Sequence, residues 1–140
     1  MLFRIDPLAS NPVFEQIVFQ VKTAVARGVL RAGDKLPSVR DIAKDAAVNP
    51  NTVVRALEAL ERDRVIVRRQ GSGCFVAPPS SDLTVKARRA QLDAMAVRMV
   101  TEAFHLGFSA ADVRSAVGDA LEQIRFPTSP SSPSAKRASS

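Results

Sequence analysis

The chain has 140 residues, with 20 Lys and Arg against 14 Asp and Glu, a net charge of +6, and 46% hydrophobic residues. Such a composition suits one compact domain with an appendage, and the basic balance fits nucleic acid, a ribosome contact or an anionic membrane surface. One Cys (Cys74), one His (His105) and seven scattered Phe without Tyr or Trp exclude a zinc finger and a disulfide framework, and disfavour a single-strand binder built on clustered rings.

No apolar run approaches the ~18 residues of a membrane span. The N-terminus carries Arg4 and Asp6 where a signal peptide needs an apolar core. A soluble, cytoplasmic protein is expected. Residues 1–79 hold 12 basic and 8 acidic side chains, so most of the excess charge falls in the first half.

In chain order, Asn11-Pro12 offers an N-cap and a first-turn proline, and Phe14, Ile17, Val18, Val21 and Val25 recur at helical spacing until Gly28. A second helix opens at Pro37-Ser38, with Asp41 placed as in a capping box and Ile42, Ala43 and Ala46 as its inner face. Asn49-Pro50 repeats the cap-plus-proline device, and Val53, Ala56, Leu57 and Leu60 form the inner face of a third helix. Only Ala47 and Val48 separate the second helix from that cap, which predicts a helix-turn-helix. Val65 to Arg69 and Cys74 to Val76 flank Gln70-Gly71-Ser72-Gly73, the pattern of a β-hairpin. A helix-turn-helix followed by a hairpin is a winged helix.

Pro78-Pro79-Ser80-Ser81 breaks the pattern and marks a boundary. Beyond it, Leu92, Ala96, Met99, Ala103 and Leu106 step by four and three, flanked by Met95, Val100 and Phe104, until Gly107. Ser109 and Asp112 repeat the capping spacing before the stripe Val113, Ala116, Val117, Ala120, Leu121 and Ile124. Two such helices form a hairpin too small to be stable alone. It needs a partner surface, either the winged helix or a second copy. From Pro127 onward no large apolar residue remains, so 127–140 reads as a disordered tail.

The stretch Gly28-Val29-Leu30-Arg31-Ala32-Gly33-Asp34-Lys35-Leu36-Pro37-Ser38-Val39-Arg40-Asp41-Ile42-Ala43 resembles the operator-binding domain of the GntR family of transcriptional regulators. The likeness continues through Val48 to Val53, Arg55-Ala56-Leu57 and Gly71 to Val76, and so covers roughly residues 11–77. The Asn-Pro-Asn-Thr start of the third helix and the short C-terminal extension are similar to the YtrA subfamily, in which two helices mediate dimerisation in place of a large effector-binding domain. This chain departs from the pattern at Asp63-Arg64, where the family often has Gly, at Leu57, where an aromatic is often seen, and at Cys74, where Thr is usual. Arg takes the left-handed exit that Gly allows only at a steric cost.

The resemblance implies a mainly α fold with a small β-hairpin: a winged helix-turn-helix domain (1–79), a C-terminal two-helix dimerisation hairpin (80–126) and the tail (127–140). The third helix would enter the major groove, with Asn49, Asn51, Thr52 and Arg55 toward base edges and its N-terminal N–H groups toward phosphate. Asn49 also serves as an N-cap, and Arg55 has a local rival partner in Glu58. Arg40 reaches DNA by resemblance, while Ser38 is a cap with a phosphate contact in reach, and Lys35 and Lys44 are phosphate candidates or a solvated face. In the wing, Arg68, Arg69 and Gln70 lead to Gly71, and alternation sends the two arginines to opposite faces.

Leu92, Met95, Met99, Phe104, Val117, Leu121 and Ile124 are the expected dimer contacts, and packing explains the Met and Phe stripe without an effector. Cys74 reads as a small hydrophobe and His105 as no ligand. No phosphate loop, metal cluster or nucleophile–base pair supports an enzyme, and no cofactor is expected. The expected function is a homodimeric, sequence-specific DNA-binding regulator acting as a repressor on a pseudo-palindromic double-stranded operator. Its rivals are a winged-helix protein-interaction module and a non-specific architectural DNA binder.

Overall fold

The computed structural model describes residues 3–79 and 83–126. Their elements in chain order are α1 (Val13–Ala26), α2 (Val39–Ala46), α3 (Pro50–Arg62), β1 (Ile66–Arg69), β2 (Gly73–Val76), α4 (Val85–His105) and α5 (Ala110–Gln123). The first five make a winged helix and the last two extend from it. Residues 80–82, where the expected domain boundary falls, and the tail at 127–140 lie outside the described residues.

Three helices surround a single core, because the apolar residues of each fall on one face. Ile17 and Val21 of α1 meet Ile42, Ala43 and Ala46 of α2 and Val53, Ala56, Leu57 and Leu60 of α3, closed by Leu36 and Ile66. α3 is central and packs on α1, α2 and β1. The hairpin is antiparallel, with Ile66 opposite Val76 and Arg69 opposite Gly73. Val76 also bonds to the backbone of Gly33 and Asp34, and Leu36 N donates to Cys74 O at 2.8 Å, so residues 33–36 line the outer edge of β2. That edge is thereby covered rather than left open for pairing.

The N-terminal arm contributes more than its sequence indicated. Phe3 is buried in the core, and its N–H donates to Asp45 Oδ2 at 2.8 Å. Gln16, the one buried polar residue among those described, accepts from Asp6 N and donates to Asp6 O, both at 2.9 Å. The same amide donates to Asn11 O at 3.3 Å. Asn11 is therefore not the cap expected of it: Pro12 holds the N-cap position in an extended conformation, with no side-chain cap bond.

The helix-turn-helix corner follows the sequence closely. Ser38 Oγ accepts from Asp41 N at 3.1 Å, and Asn49 Oδ1 accepts from Asn51 N at 2.8 Å. Between them the chain reverses at Ala47, which is left-handed at φ 56° although it is not glycine. Arg64 takes the same conformation at φ 61°, so the exit from α3 is the left-handed one despite the missing glycine.

α4 and α5 have no buried residue in either helix. Ser109 and Asp112 close a full capping box at the start of α5. The Ser109 backbone and hydroxyl both bond the Asp112 carboxylate and hold its pKa below the ordinary aspartate value. The apolar stripe was expected to run through Ile124, but α5 ends at Gln123, and Ile124 is extended and half-buried. The chain then returns to the winged helix: Arg125 N donates to Ala26 O at 2.7 Å, and Arg27 Nη2 donates to Gln123 Oε1 at 2.7 Å. Among the described residues, no helix is long and apolar enough to cross a membrane.

Candidate nucleic-acid interface

Three exposed features carry the candidate residues: the N-terminal turn of α2, the N-terminal turn of α3 and the tip of the hairpin. The apolar spacing in α2 and α3 turns Ile42, Ala43, Val53 and Ala56 inward. Arg40, Asn49, Asn51 and Arg55 are left exposed, with Thr52 half-buried. A shallow groove between α2 and the wing is lined by Lys35, Pro37, Ser38, Leu57, Ser72 and Gly73. Ser38 and Lys35 thus share a surface with the wing tip.

The two helix N-termini are not equivalent. In α3, Pro50 has no N–H, Asn51 N is bound to the Asn49 side chain, and Thr52 N donates to Asn49 O at 2.9 Å. The backbone donors expected to meet phosphate at α3 are therefore consumed by its own cap. That leaves the side chains of Asn49, Asn51 and Thr52 as its outward groups. In α2, Ser38 satisfies Asp41 N and Ile42 N, while the N–H groups of Val39 and Arg40 have no hydrogen-bond partner among the described residues. This end therefore has two open N–H groups, the positive end of the helix dipole and an Arg40 guanidinium with no partner among the described residues.

The three remaining arginines are each held by an intramolecular partner. Arg55 does not pair with Glu58, and its guanidinium carbon lies 4.0 Å from the centre of the Phe14 ring. Arg69 lies 4.9 Å over Phe75 on one face of the hairpin. Arg68 turns the opposite way, with Nε 4.0 Å from Glu61 Oε1 of α3, so alternation divides the pair as expected. An exposed ion pair at that distance contributes little, ~0–1 kcal/mol, and leaves Arg68 free to exchange partners. Gly71 forms the tip at φ 80°, with nothing within 4 Å of where a Cβ would stand.

Sequence reasoning missed one contributor. Phe14 reads only as part of the α1 core stripe, yet its ring lies against Arg55. Phe14 lies 41 positions before Arg55, and no local pattern joins them.

Of the expected dimer contacts, Leu92, Met95, Met99, Phe104 and Leu121 are exposed, and Val117 and Ile124 are half-buried. Met99, Ala103, Phe108, Val113 and Ala116 line an open apolar groove where α4 meets α5. Cys74 packs half-buried against the core, and His105 stands edge-on to Phe104 with ring centres 5.2 Å apart. Among the described residues, no group of three or more His, Cys, Asp and Glu could hold a metal ion.

The family model for bacterial regulatory proteins, gntR family, matches residues 14–76, the span from α1 to the end of β2. The HTH-type transcriptional repressor YtrA of Bacillus subtilis (strain 168) is 33% identical over 106 residues, covering 76% of this chain and 82% of that protein. A transcriptional antiterminator from Listeria monocytogenes EGD-e superposes with a TM-score of 0.76 at 29% identity, covering 92% of this chain and 97% of that one. YtrA from Sulfolobus acidocaldarius, a GntR-family transcription factor, superposes with a TM-score of 0.59 at 30% identity, over 72% of this chain and 99% of that one. The last three matches each cover more of the chain than the family model does.

Proposed function

We propose, from the premise that this chain belongs to the gntR family of bacterial regulatory proteins, that it is a sequence-specific regulator of transcription, a homodimer that represses from a pseudo-palindromic operator in the cytoplasm. The observation that carries the reading is the convergence of unpaired or loosely held cations with outward amides at the helix-turn-helix. Phosphate is held by the open N-terminus of α2, by Ser38 and by Arg40. Asn49, Asn51, Thr52 and Arg55 of α3 read base edges in the major groove, where Asn suits adenine and Arg suits guanine. The Gly71 tip, with Gln70 and one of Arg68 and Arg69, lies against the minor groove beside α3, and Lys35 borders the adjoining phosphate.

Support for the paired state comes from α4 and α5, on which Leu92, Met95, Met99, Phe104 and Leu121 stay exposed among the described residues. A second copy covers them, and its two-fold axis sets the operator's symmetry. Binding and not catalysis is the activity, and repression follows from occupying a promoter against polymerase.

Selection by the full chain from a pool of random DNA duplexes tests this. The expected winners carry two inverted half-sites centred about 10 bp or a multiple apart. Affinity should fall with salt at about −0.9 in log–log slope for each phosphate neutralised. Enrichment of no sequence with a steep salt slope would mean an architectural binder, and a flat slope would mean a protein-docking module.

A further inference from the structure

We infer that Phe14 is a positioning residue for operator reading: its ring is the platform that holds the Arg55 guanidinium in place for DNA. The inference rests on the DNA-binding reading above and adds to it a residue outside the helix-turn-helix. Phe14 stands in the first turn of α1, half-buried and packed against the core, so the ring is anchored by the fold. α1 crosses α3, and that crossing brings the ring beneath Arg55, with the guanidinium carbon 4.0 Å from its centre.

A ring meets the guanidinium through its π face and takes up no more than part of its N–H donors, so the rest stay available for a guanine edge. Arg55 is exposed and has no carboxylate partner among the described residues, although Glu58 lies at pairing distance along the helix. A long exposed side chain otherwise loses its rotamer freedom on binding. Held over Phe14, Arg55 has surrendered part of that freedom before DNA arrives.

The test is a double-mutant cycle on full-length protein with the duplex selected above and its single base-pair variants. F14L and F14M remove the ring face and keep apolar bulk, and F14Y keeps the face. Expected is a loss of about two- to fivefold in affinity per half-site for F14L and F14M, concentrated at the base pair where R55A flattens discrimination. F14Y should match the parent, and F14L should add nothing in the R55A background. The salt slope should stay unchanged in F14L, since no phosphate contact is lost. An equal loss with and without Arg55, or one spread over all base pairs, assigns Phe14 to the core alone and overturns the inference. So does unchanged affinity in both F14L and F14M, or in R55A, which would leave nothing to position. Failure of the parent protein to select any duplex is a different result, and removes the DNA-binding reading itself.

Discussion

At the residue scale, two side chains decide how far composition rules reach. Ala47 holds the left-handed corner of the helix-turn-helix at φ 56°, and its Cβ is exposed. A left-handed non-glycine residue carries roughly 1–2 kcal/mol of steric cost, and glycine gives part of that back as unfolded-chain entropy. Ala47→Gly should therefore stabilise the protein by about 0.5–1 kcal/mol in chemical denaturation, with the slope unchanged. Asn49 presents the opposite case, since one carboxamide caps α3 and also faces outward. Asn49→Ser keeps a capping oxygen and should leave stability within about 0.5 kcal/mol of the parent, whereas Asn49→Ala should cost about 1 kcal/mol. If both variants lose the same base preference in selection, Asn49 reads DNA beyond its capping. If Asn49→Ser selects as the parent does, it is a cap and no more. The caps were legible because Ser38 and Asn49 act on neighbours two and three residues away. The partner of Arg55 was not, because a local rival, Glu58, is visible in sequence and a ring 41 positions distant is not.

At the scale of elements, period and punctuation located both strands and most helix ends to within a few residues, and the starts of α1 and α4 and the end of α5 show the limit. α4 begins at Val85, seven residues before Leu92, where its apolar stripe first shows in the sequence. Asn-Pro looked alike at residues 11 and 49, yet only Asn49 caps: α1 begins one residue later relative to its Asn-Pro, at Val13, which puts Pro12 in the N-cap position. Ile124 continued the apolar stripe in register but lies past the helix, just before the backbone bond from Arg125 N to Ala26 O of α1. Periodicity reports which face of a helix is apolar and says nothing of what covers it. Among the described residues, nothing buries a residue of α4 or α5. Leu121→Asp combined with Met99→Asp should then yield a monomer at all concentrations in sedimentation. Both positions are exposed in the single chain, so the unfolding of the winged helix should shift by no more than about 0.5 kcal/mol. Operator affinity should fall by about 10²–10⁴-fold as the second half-site loses its tethered partner. Parent-like affinity in a proven monomer would separate operator binding from pairing.

At the scale of the whole molecule, the two parts meet at the C-terminal end of α1. Gln123 and Arg125 clasp Arg27 and Ala26, 96 residues apart in sequence for the first pair. Gly28 opens the space: a Cβ there would stand 2.5 Å from Arg125 Cδ. No sequence pattern announces such a contact, because single polar side chains have no period and a backbone carbonyl leaves no trace in residue type. The clasp ties the end of the pairing helices to the helix that packs on α3, so it bears on the angle between one winged helix and its partner in a dimer. Loosening it should leave each half-site reader intact and blur the distance between them. Arg27→Ala and Gln123→Ala share one hydrogen bond, so each should have the same effect and the pair no more than either. An exposed bond of this kind contributes about 0.5–1.5 kcal/mol, which is about two- to tenfold in equilibrium terms. Measured on operators whose half-sites are moved apart by one base pair at a time, the preference for the best spacing should shrink by that factor, while affinity for an isolated half-site stays constant. A spacing profile identical to the parent's would show that the pairing helices alone set the geometry and that the clasp only tidies the end of α5.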